Sequence, residues 1–268
     1  MEKVHRMGES DPQFITVGSG IHAREIACLA APARRDGDPG LLWLIGLKSD
    51  MVSTKAEALA HWTAERGLGF TRFDYSGHGR SGGDFEGATI SDWVEESEAV
   101  FTRLTQGPQI IVGSSTGGHV ALLLLKRLME TAPSEATRVL GLVLVAPAWD
   151  LTEELMWRQY SQEARRAIEE EGRWVQPSDY DPNGYVITRA FIEDGRRNVL
   201  KEARFDPGRP VLVLQGAQDT AVPIAHARAL ASVLAGDWVR LVEVPDGEHR
   251  LSRPQDLDKL YSLIETLL

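Results

Sequence analysis

The chain contains a single cysteine, Cys28, among 268 residues, which excludes an internal disulfide framework and any multi-cysteine metal site. Cys28 lies in the apolar stretch Ile26-Ala27-Cys28-Leu29-Ala30, which reads as a strand with a buried thiol and not as a reactive one. No apolar run approaches the ~20 residues that span a bilayer. Residues 1–14 mix both charges and carry neither an apolar signal core nor an Arg- and Ser-rich, acid-poor stretch, so a cytoplasmic location is the default expectation. Positive charge is in deficit, with 29 Lys and Arg against 39 Asp and Glu and a formal net charge of −10. That balance disfavours a nucleic-acid backbone or an anionic membrane surface as principal partner. Internal repeats and low-complexity tracts are also missing.

What remains is an ordinary globular composition, 43% apolar and 25% charged, long enough to bury a sizeable core. Short β-type runs recur at residues 41–47, 69–75, 109–113, 140–146, 210–215 and 238–244. Helical patterns separate them. Thr54 with Glu57 has the spacing of a capping box ahead of a helix. Trp93, Ser97, Val100, Phe101 and Leu104 fall on one helical face, as do Leu257, Leu260, Tyr261, Ile264 and Leu267. Strands alternating with helices predict a mostly parallel central sheet with helices on both faces, plus an antiparallel meander at one edge before residue 41.

The segment 149–198 breaks this rhythm and reads as a small helical cap inserted into a core made of 1–148 and 199–268. It holds Trp149, Met156, Trp157, Tyr160, Trp174, Tyr180 and Tyr185. These side chains either form the cap's own small core or line an apolar acyl pocket, for which Trp149, Met156, Trp157 and Tyr160 are the candidates.

The most informative local pattern is Gly113-Ser114-Ser115-Thr116-Gly117, set between the apolar runs Gln109-Ile110-Ile111-Val112 and 120–129. G-x-S-x-G between a strand and a helix is the nucleophile elbow of α/β-hydrolases. A serine on so sharp a corner needs neighbours without Cβ atoms. The helix behind it directs unpaired N–H groups toward the serine. The central residue, Ser115, is the candidate nucleophile, and Ser114 is expected to turn into the packing.

In this fold the acid and the histidine follow in chain order. After the apolar run 211–214 comes Gln215-Gly216-Ala217-Gln218-Asp219. Asp219, in the loop beyond a core strand, is the candidate acid; its alternative is an Asx-type turn cap. His249, in Asp246-Gly247-Glu248-His249 after the last strand, is the candidate base. Asp246 is a rival acid that reads better as a loop carboxylate, and His119 is near enough to the elbow to line a site. With these residues, His249 takes the Ser115 proton, Asp219 fixes and stabilises the imidazolium, and an acyl-enzyme forms and is cleaved by water. The developing oxyanion needs two N–H donors. Thr116 is expected to supply one, and Leu47, in Ile45-Gly46-Leu47-Lys48, the other.

Gly77-His78-Gly79-Arg80-Ser81-Gly82 matches G-x-G-x-x-G formally. It does not open into a helix, because Gly83-Asp84-Phe85-Glu86-Gly87 intervenes, so it is set aside as a nucleotide site. It reads instead as a tight surface turn organised by Asp74. Within Asp74-Tyr75-Ser76-Gly77-His78-Gly79-Arg80-Ser81 it resembles the D-x-x-G-x-G-x-S turn of serine α/β-hydrolases. More narrowly, Phe73-Asp74-Tyr75-Ser76-Gly77, the segment from Gly107 to Ser115 and Phe191-Ile192-Glu193-Asp194-Gly195-Arg196 resemble the mitochondrial palmitoyl-protein thioesterase and acyl-glucuronide esterase branch with its bacterial relatives. The resemblance implies hydrolysis of acyl thioesters or esters by a Ser-Asp-His triad, with no cofactor or metal. It further implies a small-molecule or acylated-protein substrate bearing an apolar acyl group. Ile45-Gly46-Leu47 departs from the His-Gly common at the oxyanion strand of the wider fold. The expectation is therefore an ester or thioester hydrolase. A carbon–carbon bond hydrolase or peptidase on the same triad, and a ligand receptor that does not turn over, are the alternatives.

Overall fold

In the computed structural model, residues 11–177, 182–202 and 204–268 are described; residues 1–10 and Tyr180 lie outside them. The strands in chain order are β1 (Gln13–Val17), β2 (Arg24–Ala31), β3 (Gly40–Leu44), β4 (Gly69–Phe73), β5 (Gln109–Ser114), β6 (Val139–Val145), β7 (Arg173–Gln176), β8 (Tyr185–Thr188), β9 (Val211–Gly216) and β10 (Val239–Val244). Eight of them form one sheet in the order β1-β2-β4-β3-β5-β6-β9-β10. Every neighbouring pair from β4 to β10 runs parallel. The two antiparallel pairings, β1 with β2 and β2 with β4, are confined to one edge. Strands buried on both faces cannot alternate polar with apolar residues, and β3, β5 and β9 are buried at every position.

The helices are α1 (Thr54–Arg66), α2 (Ile90–Leu104), α3 (Thr116–Thr131), α4 (Pro133–Ala136), α5 (Gln162–Arg166), α6 (Arg189–Arg197), α7 (Ile224–Val233) and α8 (Pro254–Glu265). Helix α3 packs on β5, α7 on β10 and α8 on β6. The capping box expected at Thr54 and Glu57 does not form. Ser53 is the N-cap, and Glu57 instead pairs with Arg72 at 2.5 Å. A true capping box opens α2, where Asp92 N–H donates to Thr89 Oγ1 at 3.2 Å and Thr89 N–H to Asp92 Oδ2 at 3.0 Å. The apolar face of α2 is buried as the spacing predicts, and Trp93 stacks on Tyr75 with 5.5 Å between ring centroids.

Between β6 and β9 the chain is not wholly helical. Two π-helical turns (Leu151–Trp157 and Ala167–Glu171), α5 and α6 are joined by the antiparallel hairpin of β7 and β8. Sequence reading found no strand there because β7 alternates exposed and half-buried residues and carries Arg173. Two buried carboxylates fix this stretch in place. Asp150 accepts Leu200 N–H at 2.7 Å and Lys201 N–H at 3.0 Å, so its two ends are joined. Asp194 accepts both the N–H and the hydroxyl of Ser91, each at 2.8 Å, joining α6 to the start of α2.

The sheet has a topological switch at β3 and β5. From β3 the chain leads through α1 to β4 on one side, and from β5 through α3 to β6 on the other. Connections that part in this way leave a crevice at the carboxyl ends of the two strands. The crevice depends on how closely α3 approaches β3. A Cβ at Gly117 would stand 2.2 Å from Leu44 O and 2.5 Å from Ile45 O. Gly117→Ala should therefore cost roughly 3 kcal/mol of stability in denaturant unfolding. At Gly87, where a Cβ meets nothing within 4 Å, the same change should stay within about 0.5 kcal/mol. Equal effects at the two positions would contradict this packing.

Candidate active site

Ser115 stands at the turn from β5 into α3 with φ 55° and ψ −119°. A left-handed φ is costly for a residue with a Cβ and persists only where the surroundings impose it. Here they do. Ser115 N–H donates to Val145 O at 2.9 Å, and Ser115 O accepts from Gly118 N–H at 2.9 Å and Ala148 N–H at 3.0 Å. The corner is thus fixed from the end of β6 as well as from α3. Ser114 is buried, as expected.

The loops after β9 and β10 bring the other two residues to the same edge of the sheet. His249 Nε2 lies 3.2 Å from Ser115 Oγ, and His249 Nδ1 lies 2.8 Å from Asp219 Oδ2. A carboxylate can only accept, so Nδ1 carries the proton and Nε2 presents its lone pair to the serine hydroxyl. Asp219 is itself heavily bonded. Its Oδ1 accepts Ala221 N–H at 2.9 Å and Val222 N–H at 2.8 Å, and its Oδ2 accepts Gln215 Nε2 at 3.0 Å. Burial pushes its carboxyl pKa up, but the bonds from His249, Val222 and Gln215 outweigh burial and hold it below the usual value. The carboxylate therefore stays ionised at neutral pH. The Asx-turn reading also holds for Asp219, since the same carboxylate bonds its own loop. Gln215 has no motif of its own, although a polar residue ending the run Val211-Leu212-Val213-Leu214 marks it.

The rivals and bystanders have other partners. Asp246 is bound by Arg253 at 2.8 and 3.1 Å on the exposed side of its loop. His119 is buried in α3, where its Nδ1 accepts Asp150 N–H at 3.2 Å, and burial pushes its pKa down to about 3. It supports the packing behind the elbow. Trp149 is buried and stacked on His226 with centroids 4.1 Å apart; the preceding Ala148 bonds Ser115 O, so Trp149 stands close to the elbow. Met156 is buried in the main core. The guanidinium groups of Arg165 and Arg196 stand 5.6 and 4.5 Å from the Trp157 ring centroid. Tyr160 packs edge-on to Trp174 and donates to Gln176 Oε1 at 2.6 Å. A cavity of about 120 Å³ lies at the opposite end of the strands, among Pro32, Arg35, Asp38, Phe70 and Gln109, with no histidine on its wall.

The crevice is bounded on its other side by the turn after β3. A Cβ on Gly46 would lie 3.3 Å from the Ser115 Cβ and 3.9 Å from its Oγ, so this turn touches the serine. The N–H groups of Leu47 and Thr116 have no acceptor among the described residues. Lys48 N–H is already engaged, donating to His78 Nε2 at 3.1 Å. The Asp74 turn reaches the surface at Gly79 and Arg80, as the sequence suggests, and Asp74 organises it by accepting Arg80 N–H at 2.8 Å. Asp74, Ser76 and His78 are all buried, because this turn packs beneath the one after β3.

A mostly parallel sheet with a strained serine at its switch point and a histidine–carboxylate pair opposite defines the α/β-hydrolase class. The chain matches the family model described as serine aminopeptidase, S33, over residues 50–200, more than half its length, and it belongs to this hydrolase family. A putative hydrolase from Agrobacterium vitis is 42% identical with a TM-score of 0.92, covering 96% of this chain and 98% of that one. The mouse α/β-hydrolase domain-containing protein 10 is 28% identical with a TM-score of 0.82, again covering 96% and 98%. The Bos taurus protein named palmitoyl-protein thioesterase ABHD10, mitochondrial, is 30% identical over 98% of this chain and 86% of the relative. Among the described residues, no helix is long and apolar enough to cross a membrane.

The bonding of Asp219 sets an expected outcome. Asp219→Asn should leave substrate KM nearly unchanged and lower kcat by roughly 10³–10⁴-fold, because an amide can hold the imidazole in the wrong tautomer. The same variant reports on stability. A carboxyl whose folded pKa lies below its unfolded value of about 3.9 stabilises the fold above that pH, and the contribution is lost as pH falls through the folded value. Asp219→Asn should remove that acid dependence from the unfolding curve. Unchanged kcat would contradict the placement of the acid.

Proposed function

We propose that this hydrolase cleaves carboxylic esters or acyl thioesters by nucleophilic catalysis at Ser115. The observation that carries the reading is the continuous chain from Ser115 Oγ through His249 to Asp219, with contacts of 3.2 and 2.8 Å. His249 Nε2 removes the hydroxyl proton as Ser115 Oγ attacks the acyl carbon. The tetrahedral oxyanion is held by the N–H groups of Thr116 and Leu47, whose lack of an internal acceptor supports that role. His249 then returns its proton to the departing thiolate or alkoxide, leaving an acyl-serine. Water, deprotonated by His249 in turn, releases the acid and restores the serine. No step draws on a metal or a cofactor.

Residues 149–198 serve as a cap on this reading, and the acyl chain lies against Trp149 and Met156, with Trp157 and Tyr160 further along. Similarity to proteins named palmitoyl-protein thioesterase supports a thioester, borne by a small molecule or an acylated protein. Thioester and oxygen ester pass through one acyl-enzyme, so the leaving group must be settled by rates.

Matched oxygen-ester and thioester series from acetyl to palmitoyl, run beside Ser115→Ala, test this. Turnover should vanish in the variant, and kcat/KM should rise by up to ~0.8 kcal/mol of barrier for each methylene buried until the pocket is full. The ratio between the series ranks thioester against ester. No gain beyond acetyl would remove the aromatic pocket from the proposal. Negligible turnover in both series would turn the reading to a peptide or carbon–carbon bond, or to a receptor that binds without turnover.

A further inference from the structure

The turn after β3 has to hold its shape for Leu47 N–H to serve as an oxyanion donor, and nothing within the turn does this alone. Lys48 adopts φ 56° although it bears a Cβ, a conformation that surroundings must impose. Across Gly46-Leu47-Lys48 the turn closes on itself through Ser49 N–H to Gly46 O, at 3.1 Å. Arg72 of β4 donates to Met51 O at 3.0 Å, and further hold comes from the segment after β4, the one whose glycine pattern mimics a nucleotide loop. Asp74 Oδ1 accepts Met51 N–H at 2.7 Å, and His78 Nε2 accepts Lys48 N–H at 3.1 Å. The Lys48 ammonium also sits 3.7 Å above the Phe85 ring.

The state of His78 follows from its partners. Its Nδ1 lies 3.1 Å from Ser76 O, and a carbonyl can only accept, so Nδ1 carries the proton and Nε2 is free to accept. The ring is 4% exposed and boxed by Tyr75, Phe85 and Trp93 at centroid distances of 5.2–5.9 Å. Burial, with Lys48 adding to it, pushes its pKa down to about 4, so the ring keeps its lone pair at neutral pH.

We propose that His78 is a positioning residue for the oxyanion hole: by capturing Lys48 N–H in a buried, fixed imidazole, it holds the Gly46-Leu47-Lys48 turn with Leu47 N–H left free for the reacting carbonyl oxygen. This rests on the reading of Leu47 and Thr116 as the two donors. His78 touches neither substrate nor nucleophile; it acts through the backbone of Lys48. Displacement of a donor by about 1 Å is enough to cost ~10²-fold in rate, so the clamp should be visible in kcat.

The test compares His78→Asn with His78→Gln in the full chain. Gln extends far enough to offer an oxygen to Lys48 N–H. Asn stops one bond short, yet can still donate to Ser76 O, so the pair isolates the acceptor. Three quantities are measured: kcat and KM on a short-chain aryl ester, the inhibition constant of a trifluoromethyl ketone whose hemiketal oxyanion fills the hole, and labelling of Ser115 by a fluorophosphonate. In His78→Asn, kcat should fall roughly tenfold to a hundredfold with KM nearly unchanged, and ketone binding should weaken in proportion. His78→Gln should recover most of both. Should the Asn variant fail to fold, His78→Phe, which keeps the aromatic contacts and lacks the acceptor, carries the same expectation. Wild-type kcat in a folded variant without the acceptor overturns the inference, as does a loss that Gln does not recover or one that leaves ketone binding intact. Full activity in Ser115→Ala would overturn the proposed function and this inference together. An essential Ser115 with insensitive His78 variants would overturn the inference alone.

Discussion

The left-handed φ at Ser115 is the constraint on which the remainder of the site depends. A serine cannot hold that corner by its own preference, so the neighbouring strand ends must impose it. Val145 and Ala148 do so through backbone bonds, and α3 can reach its place only because Gly117 lets its first turn press against Leu44 and Ile45. The same approach brings the turn after β3 against the Ser115 side chain. One strained dihedral thus fixes Ser115, the N-terminus of α3 and the far wall of the crevice together.

Around that corner the loops are held by buried carboxylates more than by apolar contacts. Asp74, Asp150, Asp194 and Asp219 are each almost wholly removed from water; the first three accept backbone N–H from distant segments, and Asp219 from its own loop. A buried carboxylate without such donors would be strongly disfavoured. With them, it specifies one loop geometry, because only one arrangement satisfies its oxygens. Of the four carboxylates only that of Asp219 is hydrogen-bonded by an imidazole, whereas His119 Nδ1 stands 3.9 Å from Asp150 Oδ1 and accepts the Asp150 N–H instead; that difference separates the catalytic acid of the proposal from three structural ones.

Much of this was legible in the sequence because a parallel sheet places every strand-to-helix loop at one edge. Ser115, Asp219 and His249 each follow an apolar run, so finding the runs was enough to bring the three together. Where local signals competed, the sequence was a poorer guide. Thr54 and Glu57 have capping-box spacing, yet Ser53 one position earlier takes the cap and Arg72 claims Glu57. The hairpin of β7 and β8 is two-stranded and half-exposed, and leaves no continuous apolar run to detect. His119 is near the elbow in sequence, but its ring is taken up by the backbone N–H of Asp150, a contact across 31 residues that leaves no local signal. His78 was passed over because its partner is the backbone of Lys48, and a side-chain-to-backbone contact across 30 residues leaves no motif.

The central claim is that Ser115 carries the acyl group between two half-reactions. It is tested most directly by quenching the enzyme in acid within its first turnovers on an activated ester, then measuring intact and peptide masses. The expected result is a transient mass gain equal to the acyl group, located on the peptide containing Ser115 and absent from Ser115→Ala. Turnover with no acylated species even when deacylation is slowed by His249→Gln, or acyl mass on any other residue, would contradict it.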